Sequence, residues 1–275
     1  MPLWQGNNPI AFSPASIKGL VAWYDNTSTV DTAGSSNVTI WKDKSPFENH
    51  LIPYTEVSVD NCVHIGNYIY NSNTILRNSR LLEFQSPVSD VFVFCVAKPD
   101  ITTAESGNVN ITNLFSLFTS GITTDTFNSS NTNLTVGIDV SDTGVVNGVI
   151  YDNTFNTYNT NFAAADILGK LSANANIFVA TLPISTAEPP KLFLASSSVV
   201  ELISSNSTPI NLTKNVNNFN IFVGDSKSGY TAALNDPNLK HKGLTAFKEI
   251  IVCGNLTESS DFQNIVTYLE QKHNL

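Results

Sequence analysis

Two carboxylates about 5 Å apart are the minimum equipment for hydrolysing a glycosidic bond with retention. The acidic residues of this 275-residue chain do not offer that spacing. The nearest pairs are Glu56 with Asp60 and Glu249 with Glu258, and Glu249 sits inside an apolar run that reads as a strand. The histidines His50, His64, His241 and His273 are scattered, with no partner at metal-ligand spacing, and there is no G-x-S-x-G elbow, P-loop or G-x-G-x-x-G stretch. An enzyme is therefore not expected, nor a cofactor. Asp139, Asp142, Asp225 and Asp236 are the carboxylates a structural Ca²⁺ would use, but each is more simply a turn aspartate, and no metal is assigned. What remains is hydrogen-bonding chemistry. Tyr151, Phe155, Tyr158 and Phe162 fall four, three and four positions apart among Asn and Thr. Rings stack on sugar faces and carboxamides bond hydroxyls, so Tyr151, Phe155, Asn156, Tyr158 and Asn159 are candidate carbohydrate contacts; the alternative is that the rings pack back onto the domain. Their spacing is helical, yet Asn and Thr are poor helix formers, so a loop and a short helix are both open.

These residues need a scaffold, and the composition supplies one. The chain is 41% hydrophobic and 10% aromatic, enough to bury a sizeable core, and only 13% charged, about half the usual share. Asn, Ser and Thr fill the polar quota. Fourteen basic against 23 acidic residues leave a net charge of −9, which excludes a phosphate-binding surface and hence nucleic acid as a partner. Met1-Pro-Leu-Trp-Gln-Gly-Asn-Asn-Pro9 has neither the charged start nor the apolar stretch of an export signal. No apolar run approaches the roughly 20 residues of a membrane helix, so membrane insertion is not expected. Eight Asn-X-Ser/Thr sequons are read as a consequence of composition. Cys62, Cys95 and Cys253 look like buried free thiols, although Cys95 and Cys253 both lie in β-type runs, and a bridge between neighbouring strands stays open.

Short β-type segments separated by Gly, Asn, Asp and Pro clusters recur throughout. They fall near 19–24, 38–41, 80–84, 91–97, 114–118, 134–140, 145–151, 177–182, 191–195, 199–203, 219–223 and 244–252. Many short strands argue for an all-β sandwich. Leu134–Val140 alternates apolar and polar residues, whereas Val91–Ala97 is apolar on both faces and should lie centrally. Asn-rich stretches at 107–113, 124–133, 151–161 and 204–220 read as long loops. One helix is expected, over 259–273, with Phe262, Ile265, Val266 and Leu269 in one apolar stripe and Ser260 with Gln263 as a capping box. Residues 1–14, with three prolines, Trp4 and Phe12, form an extended arm that either straps the domain's own surface or docks on a neighbouring subunit. Residues 15–275 make one sandwich domain that includes the helix.

Two blocks carry a family pattern. The first is Ile17-Lys-Gly-Leu-Val-Ala-Trp-Tyr-Asp25, Val38-Thr-Ile-Trp-Lys-Asp-Lys-Ser45 and Asn49-His-Leu51. The second is Phe247-Lys-Glu-Ile-Ile-Val252, Leu256-Thr-Glu258 and Ile265-Val-Thr-Tyr-Leu-Glu-Gln-Lys272. Together they resemble the laminin-G-like branch of the concanavalin A-like lectin/glucanase superfamily. The resemblance covers roughly the first 50 and last 30 residues, and it implies a jelly-roll sandwich of two antiparallel sheets with both chain ends in one sheet. The E-x-D-x-x-E triplet of the superfamily's glucanases has no match here.

Trp23 and Trp41 read as core rings, and Asp43 as a turn organiser. The leading functional expectation is a structural component of a virus particle, capsid-associated or on its surface. Its motives are the absent catalytic groups, the neutral surface and the arm, with Trp4 and Phe12 as docking residues and other virion subunits as partners. The alternative is a carbohydrate-binding recognition or adhesion module, at a cell surface or outside it, with a glycan as partner.

Overall fold

A computed structural model describes residues 12–27, 30–53, 62–71, 75–80, 82–84, 88–102, 106, 109–119, 133–153, 167–183, 188, 190–205, 218–224, 239–240, 245–256 and 259–275. In chain order the strands are β1 (Leu20–Asp25), β2 (Val30–Asp31), β3 (Ile40–Trp41), β4 (Leu51–Pro53), β5 (Val63–Ile65) and β6 (Tyr68–Asn71). Then follow β7 (Ile75–Asn78), β8 (Leu82–Glu83), β9 (Asp90–Lys98), β10 (Val109–Thr119), β11 (Asn133–Ser141) and β12 (Val146–Asn153). The last are β13 (Asn176–Pro183), β14 (Lys191–Ala195), β15 (Val200–Ser205), β16 (Asn218–Gly224), β17 (Leu239–Lys240) and β18 (Thr245–Gly254), before helix α1 (Ser259–His273).

Two sheets form. One runs β15-β14-β13-β9-β18-β6-β5, with β1 also on β18; the other runs β12-β11-β10-β16-β7-β4-β3-β2, with β8 on β16 and β17 on β10. Pairing among the described strands is antiparallel except for the two-residue contact of β17 with β10. β18 is shared along its length, its start pairing with β6 and its remainder with β1, so the chain ends meet in one sheet.

Alternation explains which side chains go where. In β9, Val91, Val93, Cys95 and Ala97 enter the core between the sheets, while Phe94 and Val96 face outward. An outward apolar row needs a cover, and α1 provides it: Ile265, Val266 and Leu269 are fully buried, and the Phe262 ring lies 5.3 Å from that of Phe94. Burying each such side chain stabilises by about 2 kcal/mol, which fixes a 15-residue helix that would be marginal alone. Bulges adjust the alternation. A register shift between Leu20 and Ala22 puts both Val21 and Ala22 inside, and another between Phe247 and Glu249 turns Glu249 to the helix side. Gly19 and Gly254 approach so closely, Gly254 N donating to Gly19 O at 2.8 Å, that a Cβ on Gly19 would stand 1.9 Å from the Gly254 oxygen.

Several expectations need correction. The Asn-rich stretch at 107–113 is mostly strand, because β10 begins at Val109 and Asn110 pairs with Val140. Four short strands between Leu51 and Asn78 lacked any alternating run long enough to read. The Gln263 side chain reaches beyond its own helix: Nε2 donates to the Ser197 carbonyl at 3.0 Å, tying α1 to the β14–β15 turn. Pro14 opens a single 3₁₀ turn (Pro14–Ser16) capped by Ser13. The cysteines agree with the sequence reading of buried free thiols: Cys95 and Cys253 lie on adjacent strands, but Cys253 stands opposite Phe92 and faces α1 while Cys95 faces the core, so the open possibility of a bridge is not realised.

Candidate functional site

The described structure does hold a carboxylate pair. Asp25 and Glu249 stand opposite each other in the β1–β18 register, beneath α1. Like charges there repel, and Lys272 Nζ answers both, 2.5 Å from Asp25 Oδ2 and 2.8 Å from Glu249 Oε2. Lys44 Nζ lies 3.1 Å from Asp25 Oδ2 and 4.4 Å from the centre of the Trp23 ring. Glu249 Oε1 accepts from Trp23 Nε1 at 2.6 Å and from the Tyr268 hydroxyl at 3.1 Å, and Oε2 meets His273 Nε2 at 2.7 Å.

Burial opposes charge on Asp25, but the hydrogen bond and charge of Lys272 and the amide and hydroxyl of Thr27 outweigh it, holding the carboxyl at about 2. Burial, then the neighbouring Glu249, push the Tyr268 hydroxyl far above its usual range. Both carboxylates are buried. Asp25, held ionised at neutral pH, has no proton to donate and no route to a substrate. The cluster is a clasp between the chain ends, and it explains the tryptophan, aspartate, lysine and tyrosine of both sequence blocks.

Asp43 organises the next turn. Its two oxygens accept from Trp23 N, Ser45 N, Ser45 Oγ and Asn49 N at 2.6 to 2.9 Å. Tyr24 donates to the Asn49 carbonyl at 2.6 Å, and burial, then the charge of Asp43, hold its hydroxyl in the neutral form. Trp41 is fully buried.

An accessible feature lies where α1 stops covering the sheet. A half-open cleft of about 260 Å³ runs between the end of the helix, the β14–β15 turn and the segment preceding β13. Ala175, Ile177 and Leu194 line it with apolar surface, Lys170 and Glu201 form one wall through a 2.5 Å ion pair, and Glu270 stands on the helix side. Its parts are held. Glu270 Oε2 accepts from Ser197 N at 3.2 Å, and Ser196 Oγ accepts from Val199 N at 3.1 Å. The buried Asn176 carboxamide takes Ser172 N at 2.8 Å and gives to Ser172 O at 3.2 Å, which leaves it one N–H and acceptor capacity. Val199 adds an exposed apolar rim.

The candidates from sequence fall elsewhere. Tyr151 lies on β12 opposite Thr135, while Phe155, Asn156, Tyr158 and Asn159 lie outside the described residues, as does Trp4. Phe12 packs edge-on against Tyr268 of its own helix, ring centres 6.1 Å apart. Asp139 is on β11, Asp142 is exposed in the following turn, and Asp225 and Asp236 lie outside the described residues. Among the described residues no three His, Cys, Asp or Glu side chains gather as metal ligands. The cleft was not read from sequence, because Lys170, Asn176, Glu201 and Glu270 come from four separate elements and share no spacing. The one usable signal was the exposed Val199-Val200 pair beside a turn of three serines.

No protein-family model matches the chain, and no curated protein matches it. Solved structures do. A mutant GH54 α-L-arabinofuranosidase soaked with 4-nitrophenyl α-L-arabinofuranoside is 14% identical, over 94% of this chain and 61% of its own, with a TM-score of 0.51. The fold is the concanavalin A-like jelly roll. An arabinofuranosidase complexed with arabinofuranosyl-α-1,2-xylobiose follows at 14% identity, 94% and 61% coverage and a TM-score of 0.48. The exoplasmic/lumenal domain of VIP36, in a form bound to Ca²⁺ and Man3GlcNAc, gives 8%, 74% and 86%, and 0.40. The chain thus spans about 61% of the length of the arabinofuranosidases, and at these identities the likeness concerns the fold alone. No described helix is long and apolar enough to cross a membrane.

Proposed function

We propose that the chain is a non-catalytic carbohydrate-recognition module that binds a saccharide in the cleft at the end of α1. The observation that carries this reading is the make-up of that cleft: an apolar floor, an amide with spare hydrogen-bonding capacity and two carboxylates, a mixture suited to a sugar ring with its C–H faces and hydroxyls. The low-charge Asn/Ser/Thr surface supports it, and so does the sealing of the Asp25–Glu249 pair, which removes the obvious hydrolytic site. Tyr151, Phe155, Asn156, Tyr158 and Asn159 are proposed as a second contact, and placement in the laminin-G-like branch is proposed on the two end blocks.

The structural reading, a virion component with subunit partners docked through Trp4 and Phe12, rests on composition and on the arm. Its support is weakened at Phe12, whose ring is already engaged by Tyr268. A glycan array probed with the full chain tests the proposal. Binding to a defined saccharide class is the expected result. Silence on the array, together with self-association that light scattering shows to require residues 1–14, overturns it in favour of the assembly role.

A further inference from the structure

We infer that the cleft accepts uncharged and amino sugars, with Glu201 and Glu270 receiving the amine, and turns away sialylated and uronic ones; this rests on the glycan-binding reading above. The ionisable groups lining it decide the sign. Among the described residues they are Glu201, Glu270 and Lys170, and this lysine is already held 2.5 Å from Glu201 Oε1. Among the described residues Glu270 accepts from Ser197 N, through Oε2.

A carboxylate has room for about four hydrogen bonds, so both walls keep acceptor capacity toward the cleft. The floor of Ala175, Ile177 and Leu194 meets the C–H face of a pyranose, and the free N–H of Asn176 addresses a hydroxyl. A ligand carboxylate would instead enter a low-volume recess whose lining holds two carboxylates against one lysine already paired. It would also approach a chain of net charge −9, whose field repels polyanions at long range. An ammonium on the sugar meets the opposite situation and gains charge-assisted hydrogen bonds.

Calorimetric titration of the full chain with a glucosamine tetramer, its N-acetylated counterpart and a galacturonate tetramer reads this directly. The glucosamine tetramer is expected to bind tightest, with a preference that shrinks as salt is added. Glu201→Gln and Glu270→Gln should each weaken it by about threefold, the scale of a partly exposed ion pair, and weaken the N-acetylated tetramer less, so that the preference for the amine narrows. Both positions are partly exposed, and circular dichroism of each variant checks that it folds. Equal or tighter galacturonate binding, or glucosamine binding indifferent to both substitutions, overturns the inference while the glycan reading stands. Failure of all three tetramers, on an array equally silent, brings down the glycan reading itself.

Discussion

Trp23 and Glu249 lie 226 positions apart in the chain and share a hydrogen bond of 2.6 Å, buried between β18 and α1. Glu249 is the hub of the clasp, receiving the indole, the Tyr268 hydroxyl, Lys272 and His273. Glu249→Ala leaves these donors and cations facing an apolar gap. Breaking such a buried pair costs about 3–5 kcal/mol, and thermal unfolding should shift down by roughly 10 °C for a chain of this size. A shift within about 2 °C would show that packing of Ile265, Val266 and Leu269 alone fastens the helix.

Acid should loosen the same clasp. The Asp25 carboxyl titrates at about 2 in the folded chain against 3.8 unfolded. A depressed folded value contributes stability that is complete above the unfolded value and is lost as the pH falls through the folded one. Urea midpoints should therefore drop between about pH 4 and pH 2. Asp25→Asn is expected to be less stable at neutral pH and to show a flatter profile across that window; an unchanged slope would contradict the assignment.

The approach of Gly19 to Gly254 leaves no room for a methyl group, the Cβ falling 1.9 Å from a backbone oxygen. Gly19→Ala must push β1 from β18 where the chain ends meet. It should destabilise by about 2 kcal/mol or more, the range of overpacked sites, whereas Gly34→Ala, with open space around it, should show only the smaller cost of its positive φ. Equal urea midpoints for the two variants would refute the close contact.

Burial pushes the Cys62 thiol up to about 12, and Cys95 and Cys253 higher still, the last also through the charge of Asp261. A thiol reagent should therefore find no reactive cysteine in the native chain and all three in guanidinium. Native reaction faster than unfolding would contradict their burial.

The strands with long apolar runs, such as β9 and β18, were legible because periodicity records which faces are covered. α1 was legible from the stripe of Phe262, Ile265, Val266 and Leu269. The strands between Leu51 and Asn78 were not, since three or four residues with His64, Asn71 and Arg77 among them carry no period. The motif residues Trp23, Asp43 and Lys272 marked their own importance, but only the register shows that Asp25 faces Glu249. The cleft escaped because it is made by tertiary packing: Gln263 and Glu270 hold the β14–β15 turn beside the helix, and no local pattern encodes that meeting.

Hydrogen–deuterium exchange of the full chain, with and without the saccharide that binds best on the array, tests most directly that recognition happens in this cleft. The account predicts slowed exchange at residues 170–175 and 196–199, where the walls are turns rather than strands. Protection confined to 151–162, with both cleft segments unchanged, would contradict it.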